Sequence, residues 1–189
     1  VTHNNTYTSL MAAHNIKLAL DSEKKGLIFI SEKEKEEFLS LINKMEIPYS
    51  KEYGTYLEDD SFDFLENLDI KELKQGGEPL YRKLCFDRLQ RMKILKQRDV
   101  ILLYLTLPDA FSKEEAINAW NLYEPLTVHD STLSWGMHAL SAYKLGLNGK
   151  GDDYFFKSLY LDLKDNMDNT AMEGIHIGAM GGTLQSVMF

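Results

Sequence analysis

Apolar residues recur at spacings of three and four along most of the chain, which is the periodicity of amphipathic helices. The pattern predicts a first helix within residues 1–26, ended by Gly26. It predicts a second helix from Ser31, where Glu34 completes a capping box, to Pro48. Further helices are predicted over residues 113–123, 133–145 and 152–163 and at the C-terminal end, with a turn at residues 148–151.

The middle of the chain has a less regular pattern. Residues 48–81 mix aromatic residues with carboxylates, and we interpret them as a long loop with one or two short helical turns. Its aromatic residues either pack onto the domain or line a sugar site. Residues 82–107 form a long helix or a broken pair, and residues 100–105 within them are apolar on all sides and must be deeply buried. Lys96, one turn earlier, either reaches out to solvent or points into a cavity.

Together these segments make about seven helices, without a convincing strand of alternating apolar and polar residues. Helices of about 10–20 residues joined by loops indicate an all-α fold of paired helices. A bundle, a toroid and a solenoid all remain open from the pattern alone. The sequence contains no short repeat that would favour a solenoid.

Residues 124–134 form a polar loop between two of the predicted helices. Pro125 ends the preceding helix, and oxygen-bearing side chains surround His129. Ser131 and Thr132 stand at the start of the next helix, where their hydroxyls, the free backbone N–H groups and the helix dipole favour an anion. Simple helix capping explains the same two residues equally well.

A second stretch of this kind covers residues 173–183 and is rich in glycine. Residues 181–183 indicate a backbone-exposed turn that carries a hydroxyl, and His176 offers a third donor. A catalytic triad at His129 is disfavoured, because adjacent residues rarely face each other across a triad. The spacing of His129 and His176 matches no known metal site, so we expect no metal.

Composition narrows the choice of partners. The chain has 189 residues and a formal net charge of −8, so we expect neither nucleic acid nor an anionic membrane, both of which select for clustered Lys and Arg. No apolar run approaches the roughly 18 residues of a membrane span. The single cysteine excludes an intrachain disulfide and fits a reducing compartment, so we expect a cytoplasmic protein. Because the chain begins with Val1, we expect residues 1–189 to be a fragment of a longer, multidomain chain.

Three segments resemble the motifs of one enzyme family. They are residues 96–100 (Lys-Gln-Arg-Asp-Val), 124–134 and 174–183. In order and rough spacing they are similar to motifs of the inverting α-glucoside phosphorylases, glycoside hydrolase family 65, which include maltose, trehalose, kojibiose and nigerose phosphorylases. Residues 3–8 also resemble the segment that follows the catalytic-acid motif of the family. The resemblance covers nearly the whole chain and is poorest over residues 27–85.

The resemblance implies a fold and a reaction. The catalytic domain of the family is an (α/α)6 barrel, and this chain would be roughly the second half of it. The reaction is inverting phosphorolysis of an α-linked glucosyl disaccharide, which gives β-glucose 1-phosphate and a free sugar. Inorganic phosphate is then a co-substrate, and no cofactor is expected. We also expect the full-length protein to be a homodimer.

The resemblance also implies roles for single residues. Lys96 and Gln97 would hold hydroxyls of the transferred glucosyl unit, and Glu124 would accept a hydrogen bond from another. The phosphate would be held by five residues, which are Ser131, Thr132, His176, Gly182 and Thr183. Each type suits its role, since hydroxyls, imidazole and glycine N–H groups donate to phosphate oxygens.

The chain departs from the family pattern at a few positions. Arg98, Thr132 and Leu184 stand where the family usually has Ala, Ser and Trp, and none of these changes removes a proposed donor. The general-acid Glu of the family is expected just before Val1. We therefore expect no catalytic residue in these 189 residues and no activity from them alone.

Two other functions remain open. A related inverting hydrolase would replace the phosphate with a carboxylate that activates water, and Asp130 lies near the appropriate place. A non-enzymatic helical interaction module would fit the acidic surface and the capped helices equally well, but it leaves the three motifs unexplained.

Overall fold

A computed structural model of the chain describes residues 3–70, 83–96 and 99–188. The chain divides into two compact units, Val1–Phe64 and Leu65–Phe189. The described residues are mainly helical, with two strands of two residues each, so the all-α prediction is confirmed. Within these ranges no helix has the length and hydrophobicity needed to cross a membrane.

The first unit contains two helices and a small hairpin. Helix α1 is Thr6–Lys24 and α2 is Glu32–Lys44, and strands β1 (Tyr49–Ser50) and β2 (Thr55–Tyr56) pair antiparallel. Helix α2 begins with the predicted capping box, in which the Ser31 hydroxyl accepts the Glu34 N–H and the Glu34 carboxylate accepts the Ser31 N–H. The loop predicted at residues 48–81 thus contains a hairpin that the pattern did not indicate, and one short helical turn, a 3-10 helix at Phe62–Phe64. Residues 71–81 of that prediction lie outside the described residues.

The described part of the second unit contains seven helices. They are α3 (Phe86–Leu89), α4 (Asp99–Thr106), α5 (Lys113–Tyr123), α6 (Ser134–Leu145), α7 (Asn148–Leu159), α8 (Thr170–Glu173) and α9 (Ile177–Met188). Two 3-10 helices, Pro108–Ala110 and Glu124–Leu126, each contain a proline. A second predicted capping box, Ser112 with Glu115, starts α5.

Three local predictions are corrected or narrowed by these bounds. Residues 82–107 are a broken pair, since the described residues 90–96, between α3 and α4, are not helical. The turn predicted at residues 148–151 is wrong, because α7 already begins at Asn148. Helix α6 ends at Leu145, and the residue after it, Gly146, has a φ of +82°, which a glycine adopts without strain. The turn predicted at residues 181–183 is also wrong, because these residues lie inside α9.

Helices α6 and α9 approach each other closely through glycines. A β-carbon added to Gly136 would lie 2.9 Å from the carbonyl carbon of Gly182. Leu133, directly before α6 and three residues before Gly136, packs against Gly178, which lies four residues before Gly182 on α9. The contact nearer the start of α6 is also the one nearer the start of α9. The two helices therefore run parallel, and their N-terminal ends lie side by side.

We predict that Gly136→Ala destabilises the protein. The new methyl group would meet main-chain atoms of α9, which cannot rotate away, so the free energy of unfolding should fall by about 1–3 kcal/mol. Gly181→Ala is a matched control on α9, where a β-carbon meets nothing within 4 Å. That variant should be neutral or more stable by about 0.5–1 kcal/mol, because alanine favours helix. Urea denaturation measures both changes, and equal effects of the two variants would contradict the prediction.

Candidate active site at the starts of α6 and α9

The polar loop of residues 124–134 is fastened by its backbone to the segment that carries Lys96. The Leu95 N–H donates to the Leu126 carbonyl at 3.4 Å, and the Val128 N–H donates to the Leu95 carbonyl at 3.0 Å. The side chain of Lys96 is exposed to solvent. Two of the three family-like motifs therefore meet in space. Gln97, which the sequence assigns to the same role as Lys96, lies outside the described residues.

Glu124 begins the loop and is held at one carboxylate oxygen. Its Oε1 accepts hydrogen bonds from the Tyr154 hydroxyl at 2.7 Å and from Lys150 Nζ at 3.3 Å. Its Oε2 makes no hydrogen bond to any described residue, and the side chain is 15% exposed. Burial, with the adjacent Glu124 carboxylate, raises the pKa of Tyr154 far above its usual range, so that hydroxyl stays a donor. One carboxylate oxygen of Glu124 is thus held by two side chains of α7, while the other makes no contact of this kind with the described residues.

His129 anchors the loop to the helices behind it. Its backbone has a φ of +56°, which is uncommon for a residue other than glycine. Its Nδ1 lies 2.9 Å from the Ser134 hydroxyl, and its ring contacts those of His138 and Tyr154 at centroid distances of 4.5 and 5.0 Å. Because Ser134 is only 2% exposed, its hydroxyl is not available to attack a substrate. The His129–Ser134 contact therefore orients the loop.

Ser131 and Thr132 form a turn immediately before α6. The Ser131 hydroxyl accepts the Leu133 N–H at 3.4 Å, and its carbonyl accepts the Ser134 N–H at 3.0 Å. The N-cap residue of α6 is Leu133, which provides no side-chain cap. Ser131 therefore stabilises the turn before the helix rather than capping the first turn of α6, and the positive end of the helix dipole faces this turn.

The start of α4 borders the same region. The lining of a cavity of about 130 Å³ includes Asp99, the first residue of α4, and Leu133 and Ser134 at the start of α6. Its other lining residues are mainly apolar side chains of these two helices. Lys96 lies three residues before α4, so the sugar-binding and phosphate-binding motifs implied by the resemblance are at the same ends of neighbouring helices.

His176 immediately precedes α9 and is held by Asp162. Its Nδ1 lies 2.6 Å from Asp162 Oδ1, and its backbone N–H donates to Asp162 Oδ2 at 2.9 Å. The hydrogen bond that the His176 ring donates to Asp162 raises the pKa of His176, and the Glu173 carboxylate, 3.5 Å from Nε2, adds to the shift. The same contact lowers the pKa of Asp162. This pairing favours the imidazolium form, a suitable donor to an anion.

Leu133 and Gly178 bring the two donor groups together. Leu133 lies two residues after Ser131, Gly178 lies two residues after His176, and the two pack against each other. The structure thus places Ser131, Thr132 and His176 at the adjacent N-terminal ends of two parallel helices. Both helix dipoles have their positive ends there, which is a favourable place for an anion.

Gly182 and Thr183 lie deeper in the unit, more than one turn into α9. Gly182 packs against Gly136 of α6. The Thr183 hydroxyl donates to the Ala179 carbonyl at 2.9 Å and lies 2.6 Å from the Ser158 hydroxyl of α7. Gly182 thus contacts α6 and Thr183 contacts α7. The assignment of both residues to phosphate binding remains a prediction that rests on the resemblance.

Three of the supporting residues carry no motif signal in the sequence. By its spacing Tyr154 belongs to the apolar residues of the predicted helix 152–163, and Lys150 lies in the turn predicted at residues 148–151. Asp162 lies in an irregular turn after α7, 14 residues before His176. One general signal applies to Tyr154. A tyrosine among the apolar residues of a helix carries a hydroxyl, and when buried that hydroxyl usually donates a hydrogen bond to a partner.

Known proteins resemble this chain over nearly its whole length. Residues 1–185 match the model of the glycosyl hydrolase family 65 central catalytic domain. The maltose phosphorylase of Bacillus subtilis strain 168 is 32% identical over 98% of this chain and 25% of its own length. The α,α-trehalose phosphorylase of Thermoanaerobacter brockii is 31% identical over 98% of this chain and 26% of its own.

A solved structure gives the same result for the fold. A protein from the human microbiome, provisionally named a kojibiose phosphorylase, superposes with a TM-score of 0.86 and 29% identity, covering 99% of this chain and 26% of that one. The chain thus spans about a quarter of the length of the relatives it matches. The family predicted from the three motifs is confirmed, and the helices are those of a segment of the (α/α)6 barrel. The chain belongs to glycosyl hydrolase family 65, within its central catalytic domain.

Proposed function

We propose that this chain is part of an inverting phosphorylase that cleaves an α-linked glucosyl disaccharide with inorganic phosphate. The products are β-glucose 1-phosphate and a free sugar. The observation that carries the proposal is the pairing of two parallel helix starts, with Ser131 and Thr132 before α6 and His176 before α9. The relatives named above are phosphorylases of maltose and trehalose, which supports the same activity.

The geometry is suited to holding the two reactants separately. The hydroxyls and the imidazolium at the helix starts donate to phosphate oxygens, while Glu124 Oε2 and exposed Lys96 are available to sugar hydroxyls. A phosphate oxygen attacks the anomeric carbon, the glycosidic C–O bond breaks, and a general acid protonates the departing oxygen. A single catalytic carboxylate suffices, because phosphate replaces the water that a second carboxylate activates in an inverting hydrolase.

The test is an assay of the full-length protein with maltose, trehalose and kojibiose, each with and without phosphate. We expect phosphate-dependent release of β-glucose 1-phosphate, observed as its ³¹P and anomeric ¹H NMR signals, from one of the three. Free glucose released at the same rate without phosphate would instead support an inverting hydrolase, with Asp130 as the candidate base. No turnover of any α-glucoside, together with no phosphate binding, would favour a non-enzymatic module.

Other expectations accompany this function. The proposal treats phosphate as a co-substrate and requires no further cofactor. A homodimer and a cytoplasmic location remain predictions, which sedimentation and cell fractionation of the full-length protein would check. Gel-shift assays with nucleic acid should be negative, because the formal net charge of the chain is −8.

A further inference from the structure

The segment between α7 and α9 is organised by two aspartates. Asp165 Oδ1 accepts the backbone N–H groups of Asn169 and Thr170, both at 2.9 Å. Asp162 accepts three hydrogen bonds, from the His176 ring, the His176 backbone N–H and the Thr170 hydroxyl, the last at 3.2 Å. The side chain of Asp162 is only 8% exposed. A carboxylate with so little access to water and three donors holds a fixed position.

We propose that Asp162 is a positioning residue, which fixes His176 as an Nε2–H donor to the phosphate of the reaction. The inference rests on the proposed function, because it gives His176 the phosphate as its ligand. It adds a residue outside the three family-like motifs and 14 positions away from the one it controls. Asp162 itself acts only through His176.

The two contacts between Asp162 and His176 determine the orientation of the imidazole ring and the position of its proton. The contact of Nδ1 with Oδ1 at 2.6 Å places a proton on Nδ1, and the bond from the backbone N–H to Oδ2 fixes the start of α9 relative to the same carboxylate. Two bonds to one planar group leave the ring little freedom to rotate. The Nε2 atom therefore points away from Asp162, as in histidines that a carboxylate orients toward a metal.

The surroundings of Nε2 allow it to serve a ligand. Its contacts are long, 3.4 Å to Asn169 Nδ2 and 3.5 Å to Glu173 Oε2. Among the described residues, the charged groups that act on His176 are the carboxylates of Asp162, in the turn after α7, and Glu173, on α8. Glu173 is 64% exposed at its side chain and contacts the ring more weakly than Asp162 does. Asp162 is therefore the dominant partner.

A pH dependence follows from this pairing. The pKa of His176 is raised by Asp162, so the ring keeps its positive charge to a higher pH than an ordinary histidine. The contribution of the charged ring to phosphate binding is then fully present below that raised pKa and is lost as the pH rises through it. Removing the carboxylate lowers the pKa of His176, and the loss of binding should begin at a lower pH.

The experiment compares Asp162→Asn with Glu173→Gln in the full-length protein. For Asp162→Asn we expect the KM for phosphate to rise about tenfold at pH 8 and clearly less at pH 6, while the KM for the disaccharide stays unchanged. Glu173→Gln removes the other carboxylate near the ring and should change the KM for phosphate less than about twofold. An unchanged KM for phosphate at both pH values in Asp162→Asn would overturn the proposal.

A second measurement uses the unsubstituted protein and does not depend on the folding of any variant. With ¹³C- and ¹⁵N-labelled histidine, and His176→Gln to assign the signal, NMR should show His176 protonated at Nδ1 and titrating above the ordinary value of about 6.5. An ordinary titration, or a neutral ring protonated at Nε2 alone, would overturn the proposal. If turnover proves independent of phosphate, the proposed function fails and the phosphate role of Asp162 with it, whereas this NMR result still reports whether the pairing exists.

Discussion

His176→Ala in the full-length protein should raise the KM for phosphate by about 10- to 100-fold. The substitution removes a charged donor at the start of α9, and a hydrogen bond to a charged group contributes about 1.5–3 kcal/mol. It also leaves Asp162 without its ring partner, close to the proposed phosphate position, so two negative groups would then repel each other. Initial rates at varied phosphate and saturating disaccharide measure the change.

His14→Ala is the control for this prediction. His14 is a half-buried histidine of α1 to which no role is assigned, so its removal tests the loss of an imidazole in general. We expect its effect on the KM for phosphate to be less than about threefold. If His176→Ala changes the KM for the disaccharide but leaves that for phosphate unaltered, His176 belongs to the sugar site and the assignment is wrong.

Glu124→Gln should lower kcat/KM for the disaccharide by about 100-fold, with little change in the KM for phosphate. Its Oε2 is the acceptor left for a sugar hydroxyl, while Oε1 is occupied by Tyr154 and Lys150. The glutamine amide keeps one acceptor oxygen but carries no charge. Its NH₂ group is a donor and would face either the Tyr154 hydroxyl or the sugar hydroxyl, which are donors themselves. Loss of a charged hydrogen bond together with that mismatch amounts to about 3 kcal/mol.

Tyr154→Phe separates the orientation of Glu124 from its charge. The phenylalanine keeps the ring contacts with His129 and His138 but cannot donate to Glu124 Oε1. We expect a loss of about tenfold in kcat/KM, and almost no further loss when the substitution is added to Glu124→Gln, because both act through one carboxylate. Additive effects in the double variant would show that Tyr154 acts independently of Glu124.

The helices and their caps could be predicted from the sequence because the physics involved is local. Ser31 with Glu34 and Ser112 with Glu115 are capping boxes in the structure, and α5 has the predicted bounds. The spacing of large apolar residues does not indicate the buried face of α6, since Leu133 at its start is 48% exposed while Gly136, Ala139 and Ala142 are buried. A helix that packs closely against two others buries small residues, and a search for large apolar residues overlooks them.

The candidate site was predictable only where its residues are contiguous in sequence. The motif at residues 124–134 contains Glu124, Ser131 and Thr132 within a few positions, and a resemblance can be recognised there. Tyr154 and Asp162 act across 30 and 14 residues, from a helix and from a turn without a periodic pattern. Nothing in their local sequence separates them from the many tyrosines and aspartates that have no such partner.

Gly136 and Gly182 face each other between α6 and α9, but substitution by alanine has a different effect at each. A β-carbon on Gly136 meets the main chain of Gly182, whereas one on Gly182 first meets the terminal methyl group of Met137 at 3.3 Å, which can rotate away. Alanine is therefore tolerated by the packing at position 182 and not at position 136. Gly182→Ala accordingly becomes the substitution that separates an effect on phosphate binding from an effect on stability at this helix pair.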